Sequence, residues 1–378
     1  MQRHRVKPRP DWRQIVEAQG MHFHTIDDAV YWDESACYEF RADEIDLIEK
    51  ATYELDQMCL DAVEYIIENN LFSMFQIPPR FVDYLIHSWD HDEHTIYGRF
   101  DLSYDGSGPP KLLEYNADTP TALLESSVIQ WSWRLGQPLG PSYDQFNSIH
   151  ERLIEAWGAA NQEIGGRTVA FASLEENLED YMTTSYLRDT AIQAGLDTLS
   201  IDVSRIGWNE HWHKFVDDSD QPIDCAFKLY PWEWMVREEF AEHLLWNTTH
   251  WFEPPWKMLL SNKALLPILH DLYPDSPYIP VASFEPFGDT FEVKPILARE
   301  GANVRVVKHG RTIAETHGPY TDSPCIYQEY APLPDFGGVY PVLGSWIVNG
   351  HACGLGVRED RGPITQNTSR FVPHLFKI

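Results

Sequence analysis

Thr95-Ile-Tyr-Gly-Arg-Phe-Asp-Leu-Ser-Tyr104 is followed by Asp105-Gly-Ser-Gly-Pro-Pro110 and then by Lys111-Leu-Leu-Glu-Tyr-Asn-Ala117. Two runs rich in aromatic and branched residues flank a cluster of turn formers, the pattern of a β-hairpin. Side chains alternate along a strand, so Arg99, Asp101 and Ser103 share one face, and Phe100, Leu102 and Tyr104 the other. On the return strand Glu114 and Asn116 share a face opposite to that of Leu113 and Tyr115. With the loop at 105–110, Tyr104 is expected opposite Lys111, Asp101 opposite Glu114 and Arg99 opposite Asn116. Two carboxylates facing each other across a strand pair repel. A hard cation such as Mg²⁺, held by Asp101, Glu114 and Asn116, removes the conflict, because it takes oxygen ligands. A solvated face with an ordinary Arg–Asp pair is the other reading the pattern allows.

Outward from the hairpin, the chain of 378 residues is long enough for two or three domains or one large unit with a lid. Hydrophobic residues make up 43%, enough for an extensive core. Lys and Arg number 29 against 58 Asp and Glu, a formal charge of -29 that repels nucleic acid and anionic lipid and favours amine-bearing partners. Five scattered cysteines without CxxC spacing point to reduced thiols rather than a disulfide framework. The basic N-terminus has no apolar core of a signal peptide, and no apolar run approaches the roughly 20 residues that span a bilayer. A cytoplasmic protein is expected.

Residues 11–40 read as an irregular wrapping segment. Residues 42–70 carry a helical stripe of Ile45, Ile48, Ala51, Leu55, Cys59 and Ala62. The corner 116–121 joins a strand end to the helical run 123–135 and suits an anionic ligand. Residues 165–203 read as strand, helix and strand, with Ser173 and Glu176 at capping-box spacing, so a parallel α/β layer is expected. It lacks GxGxxG, which leaves a dinucleotide fold unsupported. Lys228 sits inside an apolar strand at 224–230, where lysine needs a partner or a function. In an acidic chain, residues 255–316 gather Lys263, Lys294, Arg299, Arg305 and Lys308 beside a Gly-containing turn, an arrangement suited to polyphosphate. Lys294 is expected to be exposed. The last 18 residues read as a tail returning to the surface.

The series Gly98-Arg-Phe-Asp101, Leu113-Glu-Tyr-Asn-Ala-Asp-Thr-Pro-Thr121, Ser261-Asn-Lys263, Val293-Lys-Pro-Ile-Leu-Ala-Arg-Glu-Gly301 and Tyr327-Gln-Glu-Tyr330 resembles the synthetase domain of glutathionylspermidine synthase. The resemblance runs through nearly the whole chain in the same order and points to the stand-alone acid–amine ligase branch. It implies an α+β fold of the ATP-grasp kind, with mixed sheets, a mobile lid and an inserted β–α–β layer. One catalytic unit over 1–378 is then expected, with 95–117 as the metal-binding hairpin, 165–250 as the substrate-side layer and 255–316 as the ATP lid region.

By the same resemblance, Asp101, Glu114 and Asn116 match Mg²⁺ ligands, and Arg99 matches the residue that stabilises charge on the transferred phosphoryl. Lys263 and Lys294 match lysines that grip ATP phosphates, Gly301 and Ala302 the lid loop, and Gln328, Glu329 and Tyr330 the hinge beside adenine. Arg358 falls where a late basic residue helps bind nucleotide. Thr119, Glu175 and Glu176 fall near positions that contact the thiol peptide or the amine. The implied activity is ATP-dependent joining of a carboxylate or peptide to an amine or polyamine through an acyl-phosphate. The bifunctional members add an N-terminal Cys/His amidase domain, for which 378 residues leave no room. Two rival readings remain open on the residues alone. One is a glycoside hydrolase using the paired carboxylates; the other is a non-catalytic polyamine- or nucleotide-binding protein.

Overall fold

The computed structural model describes residues 1–26 and 28–378. Its centre is a five-stranded antiparallel sheet with strand order Arg370–Val372, His351–Asp360, Tyr340–Val348, Tyr97–Ser103 and Lys111–Asn116. Phe100, Leu102, Leu343 and Val357 turn one face of this sheet toward the helix Ala42–Glu68, whose Ile45, Ile48, Leu55, Cys59 and Ala62 are buried in the same core. That helix has 27 residues, about 40 Å at 1.5 Å per residue, and so spans the sheet. Its start is held by the Glu44 carboxylate, which accepts the Arg41 backbone N–H at 2.8 Å. The other face carries Arg99 and Asp101 into a cleft. Strand alternation thus divides one hairpin into a core side and a chemical side.

The hairpin register is the expected one where it matters: Arg99 opposes Asn116 and Asp101 opposes Glu114. At the tip it differs. Leu102 pairs with Leu112 and Ser103 with Lys111, so a β-bulge intervenes and Tyr104 is not opposite Lys111. The turn takes one residue more than its turn chemistry suggests, and the bulge restores the pairing below it.

A second sheet of five antiparallel strands, ordered Ala282–Ser283, Cys325–Glu329, Phe291–Pro295, Arg305–Lys308 and Arg311–Glu315, forms the opposite wall of the cleft. The third is wholly parallel, His250–Phe252, Cys225–Lys228, Val169–Ser173 and Thr198–Asp202, as the strand–helix–strand pattern predicts. Its helix Leu178–Gln193 is capped by Asn177, whose side chain accepts the N–H groups of Glu179 and Asp180. Ser173 remains in the strand, so the Ser173–Glu176 capping box does not form.

Two further expectations are corrected. Residues 370–377 are not a surface tail: His374–Lys377 pairs in parallel with Ala36–Arg41, and His374 is buried. Residues 11–40 accordingly contain a buried sheet strand at their end. Lys228 does have a partner, Asp118 at 2.5 Å, in a buried pair that ties the 116–121 corner to the parallel sheet. Four of the five cysteines are buried and all are free. Among the described residues, no helix is long and apolar enough to cross a membrane.

Candidate active site

Asp101 lies under two arginines. Arg99 donates from Nε to Oδ1 at 2.7 Å and from Nη2 to Oδ2 at 3.1 Å, and Arg358 donates to Oδ2 at 2.8 Å. Arg99 also donates to the Thr121 carbonyl at 2.6 Å, which fixes its planar fork against the 116–121 corner. A Cβ on Gly344 would stand 2.8 Å from Arg99 Cδ, so the bare backbone leaves the guanidinium its lane. Across the strand pair, Glu114 holds Lys263 at 2.8 Å and accepts the Asn116 amide at 3.3 Å. Protein cations therefore answer the repulsion between the facing carboxylates. Burial opposes ionisation of Glu114, but Lys263, Lys294 and Asn116 outweigh it and hold the carboxyl well below its ordinary range.

Lys294 is buried, contrary to expectation. Its Nζ lies 2.7 Å from Glu292 and donates to Gln328 Oε1 at 2.6 Å and to the Leu113 carbonyl at 3.2 Å. A lysine inside a strand escapes the usual burial penalty when it is paired in this way. Gln328 completes the bridge by donating to the Leu112 carbonyl at 2.8 Å. The strand Cys325–Glu329 is thereby tied to the hairpin.

These groups border one cleft of about 250 Å³. Arg99, Asp101, Glu114, Asn116, Lys263, Lys294 and Arg358 line its charged part, and Thr119 and Gly301 line it as well. Val304, Leu333, Val342 and Ile364 give it an apolar slot, with Tyr330 packed against Val304 and Ile364. Gly301 has φ +68°, and a Cβ there would meet the Thr365 carbonyl oxygen at 2.3 Å. Only glycine lets the 299–303 turn seat on the C-terminal segment. From that turn, Arg299 reaches Glu233 at 3.2 Å and donates to Thr119 Oγ1, joining the turn to the 116–121 corner.

Asp180, Glu233, Tyr230 and Trp234 line the same cleft, with Arg299 paired to Glu233 and lying 5.9 Å from the Trp234 ring centroid. Burial first, and then the neighbouring Glu179 carboxylate, raise the Asp180 carboxyl to about 7. Burial likewise raises Glu179, which interacts with the Thr121 side chain and Arg358.

Several expected residues lie elsewhere. Glu175 and Glu176 are exposed on the turn before the helix, outside the cleft lining. Asn177-Leu-Glu-Asp180 carries the legible signal instead, a cap residue followed by acids in the first turn. Ala302, Gln328, Glu329 and Tyr330 are also outside the lining: Ala302 closes the 299–303 turn on the Arg299 carbonyl at 2.9 Å, and the Glu329 N–H is bound to the Val281 carbonyl at 2.7 Å. Glu233 and Trp234 join the site without a local sequence signal, because the short helix Trp232–Met235 brings them in from a distance, whereas Glu292 stands two residues before Lys294 on the same strand face.

Among the described residues, no cluster of three or more His, Cys, Asp or Glu is placed to hold a metal ion. Asp101, Glu114 and Asn116 instead offer two carboxylates and one amide oxygen on one strand pair, a donor set that suits a hard, partly hydrated cation.

Residues 3–377 match the family described as "Glutathionylspermidine synthase preATP-grasp". The chain is 41% identical over 384 residues to a "Putative acid--amine ligase" of Haemophilus influenzae, with 97% of each chain covered. It is 29% identical over 357 residues to trypanothione synthetase of Crithidia fasciculata, covering 86% of this chain and 54% of that protein. Identity to the bifunctional glutathionylspermidine synthetase/amidase of Escherichia coli is 27% over 391 residues, 95% of this chain and 60% of the relative. The chain thus spans only a little over half the length of the latter two.

Proposed function

The chain belongs to the glutathionylspermidine synthase preATP-grasp family, and from that premise we propose that it is an ATP-dependent acid–amine ligase with an ATP-grasp catalytic unit. The observation that carries the reading is the convergence of Arg99, Lys263, Lys294 and Arg358 on one cleft in a chain of charge -29, a cationic set that suits a polyphosphate. Asp180, Tyr230 and Trp234 line the same cleft and suit an ammonium.

A carboxylate and an amine at neutral pH form a salt, because the oxyanion is a poor leaving group. Phosphorylation of the acid by ATP gives an acyl-phosphate, whose phosphate leaves when the amine attacks. In that sequence Lys263, Lys294 and Arg358 hold phosphate oxygens, and the Val304–Ile364 slot with Tyr330 receives the base. Arg99 meets the charge that grows on the transferred phosphoryl. Asp101, Glu114 and Asn116 would hold Mg²⁺, which supplies charge neutralisation between adjacent phosphates. The 299–303 turn closes over the site and excludes water, which would otherwise hydrolyse the activated acid. Glu179 and Asp180 hold the ammonium and accept a proton from it, a role for which their raised proton affinity is suited. On this reading 95–117 is the metal-binding hairpin, 165–250 the substrate-side layer and 255–316 the lid region.

The glycoside hydrolase reading needs one carboxyl of the pair that keeps its proton. Glu114 lies well below its ordinary range and so does not serve as the acid, and both Asp101 oxygens are already taken by arginine donors. The test is a phosphate-release screen over acid and amine pairs with ATP and Mg²⁺. Release that requires both partners is the expected result. Nucleotide binding without release for any pair would favour a non-catalytic binding protein.

A further inference from the structure

The 116–121 corner reaches the cleft through Asn116, Thr119, Pro120 and Thr121, and its Thr121 carbonyl accepts Arg99 Nη1 at 2.6 Å. Asp118, in the middle of the corner, is buried in the interior instead. Behind it, Lys228 Nζ lies 2.5 Å from Asp118 Oδ1, and the Trp232 N–H donates to Oδ2 at 2.9 Å. Neither Asp118 nor Lys228 lines the cleft.

Both donors are themselves held. Lys228 ends an inner strand of the parallel sheet, and its ammonium stands 4.8 Å from the centroid of the Trp232 ring. Trp232 Nε1 donates to the Glu253 carbonyl at 3.0 Å. The Glu253 carboxylate accepts the N–H groups of Ile96 and Tyr97 at 3.1 and 3.0 Å and pairs with Lys257 at 2.6 Å. The strand that carries Arg99 and the corner that receives its Nη1 are therefore anchored to one buried polar chain, the first through Glu253 and the second through Asp118. Only Thr119 and Pro120 separate Asp118 from Thr121, and this link is stiff. Pro120 fixes its own φ and restricts Thr119 before it, and the Pro120 carbonyl accepts Tyr97 Oη at 3.2 Å. A displaced Asp118 carboxylate thus carries the Thr121 carbonyl with it. A buried ion pair adds little net stability over apolar residues of similar shape. What this one adds is direction, because a carboxylate between two fixed donors has one place to sit.

We propose that Asp118 is a positioning residue for Arg99. Clamped between Lys228 and the Trp232 N–H, it sets the corner where the Thr121 carbonyl holds one arm of the Arg99 guanidinium, while Asp101 holds the other edge. Its effect on rate rests on the ligase reading, in which Arg99 meets the charge that grows on the transferred phosphoryl. Its effect on the Arg99 side chain does not.

The first experiment needs no substrate. Arginines of the full-length protein are labelled with heavy nitrogen, and the guanidinium resonances lost in Arg99→Lys identify Arg99. Asp118→Glu keeps a negative charge for Lys228, so no buried ammonium is left unpaired. Its added methylene, placed between fixed donors and a stiff corner, should shift the Thr121 carbonyl. The Arg99 Nη protons should then exchange with water faster than in wild type. Asp118→Asn, equal in volume, breaks the ion pair and should move the same resonances; it decides the matter where Asp118→Glu folds poorly. With an acid–amine pair from the release screen, Asp118→Glu should lower kcat about tenfold to a hundredfold, the scale of a small misplacement, with the KM for ATP within about twofold. In the Arg99→Lys background the same change should cost no more than about twofold, because the arm that Thr121 holds is gone. A merely structural role gives equal losses in both backgrounds. Arg99 resonances in both Asp118 variants superimposable on wild type, or equal kcat losses with and without Arg99, overturn the proposal. Displaced Arg99 resonances, with no phosphate release by wild type for any pair tried, contradict the ligase reading alone.

Discussion

Replacing Arg99 with lysine separates a role in the transition state from a role in holding the fold. Arg99 makes three hydrogen bonds, two to Asp101 at 2.7 and 3.1 Å and one to the Thr121 carbonyl at 2.6 Å. A lysine keeps the charge but presents a single head, so the fork on Asp101 and the Thr121 contact cannot both survive. Asp101 does not lose its last partner, because Arg358 remains at 2.8 Å. Losing about two hydrogen bonds, each worth roughly 1–1.5 kcal/mol, should then cost about 2–3 kcal/mol of stability. The expected loss in turnover is larger in kind, about two to three orders of magnitude, as for removal of one preorganised donor. ATP affinity should move only a few-fold, since Lys263, Lys294 and Arg358 are untouched. The assay measures turnover on an identified acid–amine pair, nucleotide affinity and thermal melting, each on both proteins. Wild-type turnover in a variant that melts earlier would reduce Arg99 to a structural partner of Asp101. Equal losses in turnover and ATP affinity would place its contribution in ground-state binding.

Gly301→Ala should shift the 299–303 turn off the C-terminal segment, because its Cβ would lie 2.3 Å from the Thr365 carbonyl oxygen; faster amide exchange over that turn, with weaker ATP binding, is the expected readout. Lys294→Ala should weaken ATP binding and also lower the melting temperature, because it leaves the Glu292 carboxylate without its partner at 2.7 Å; calorimetric titration and a melting curve on the same variant check both. Asp180 carries a folded-state value of about 7 against an ordinary 3.8, so the native state loses stability as pH rises between them and the unfolded chain ionises first. Asp180→Asn should therefore melt above wild type at pH 8 and approach it toward pH 4, as melting curves across that range would show.

The hairpin is legible in the sequence because strand parity and the facing pairs Arg99–Asn116 and Asp101–Glu114 need only local counting. The bulge at its tip is not, since nothing in Asp105-Gly-Ser-Gly-Pro-Pro110 marks an extra residue in the turn. The parallel layer follows from alternating strand and helix patterns. The strand His374–Lys377 reads as a tail because its partner, Ala36–Arg41, lies at the other end of the chain. Lys294 is expected in solvent because its burial depends on Gln328 from a neighbouring strand and on the Leu113 carbonyl of the hairpin, although its partner Glu292 stands two residues away on the same strand face. In the same way, Glu175 and Glu176 look equivalent to Glu179 and Asp180 until the Asn177 cap fixes where the helix begins and which acids turn inward. The charged residues carried on short contiguous motifs, Arg99, Asp101, Glu114 and Asn116, are the readable part of the cleft. The part lined by Asp180, Glu233 and Trp234 depends on long-range packing.

The central claim is that this cleft activates a carboxylate by phosphorylation before joining it to an amine. It is tested most directly by following labelled oxygen. An acid carrying heavy oxygen in both carboxylate positions is incubated with its amine partner, ATP, Mg²⁺ and the enzyme, and the products are weighed by mass spectrometry. The account predicts that one labelled oxygen per turnover appears in inorganic phosphate, that the other stays in the amide, and that the nucleotide product is unlabelled ADP. Label in AMP, or phosphate released without label, would contradict it.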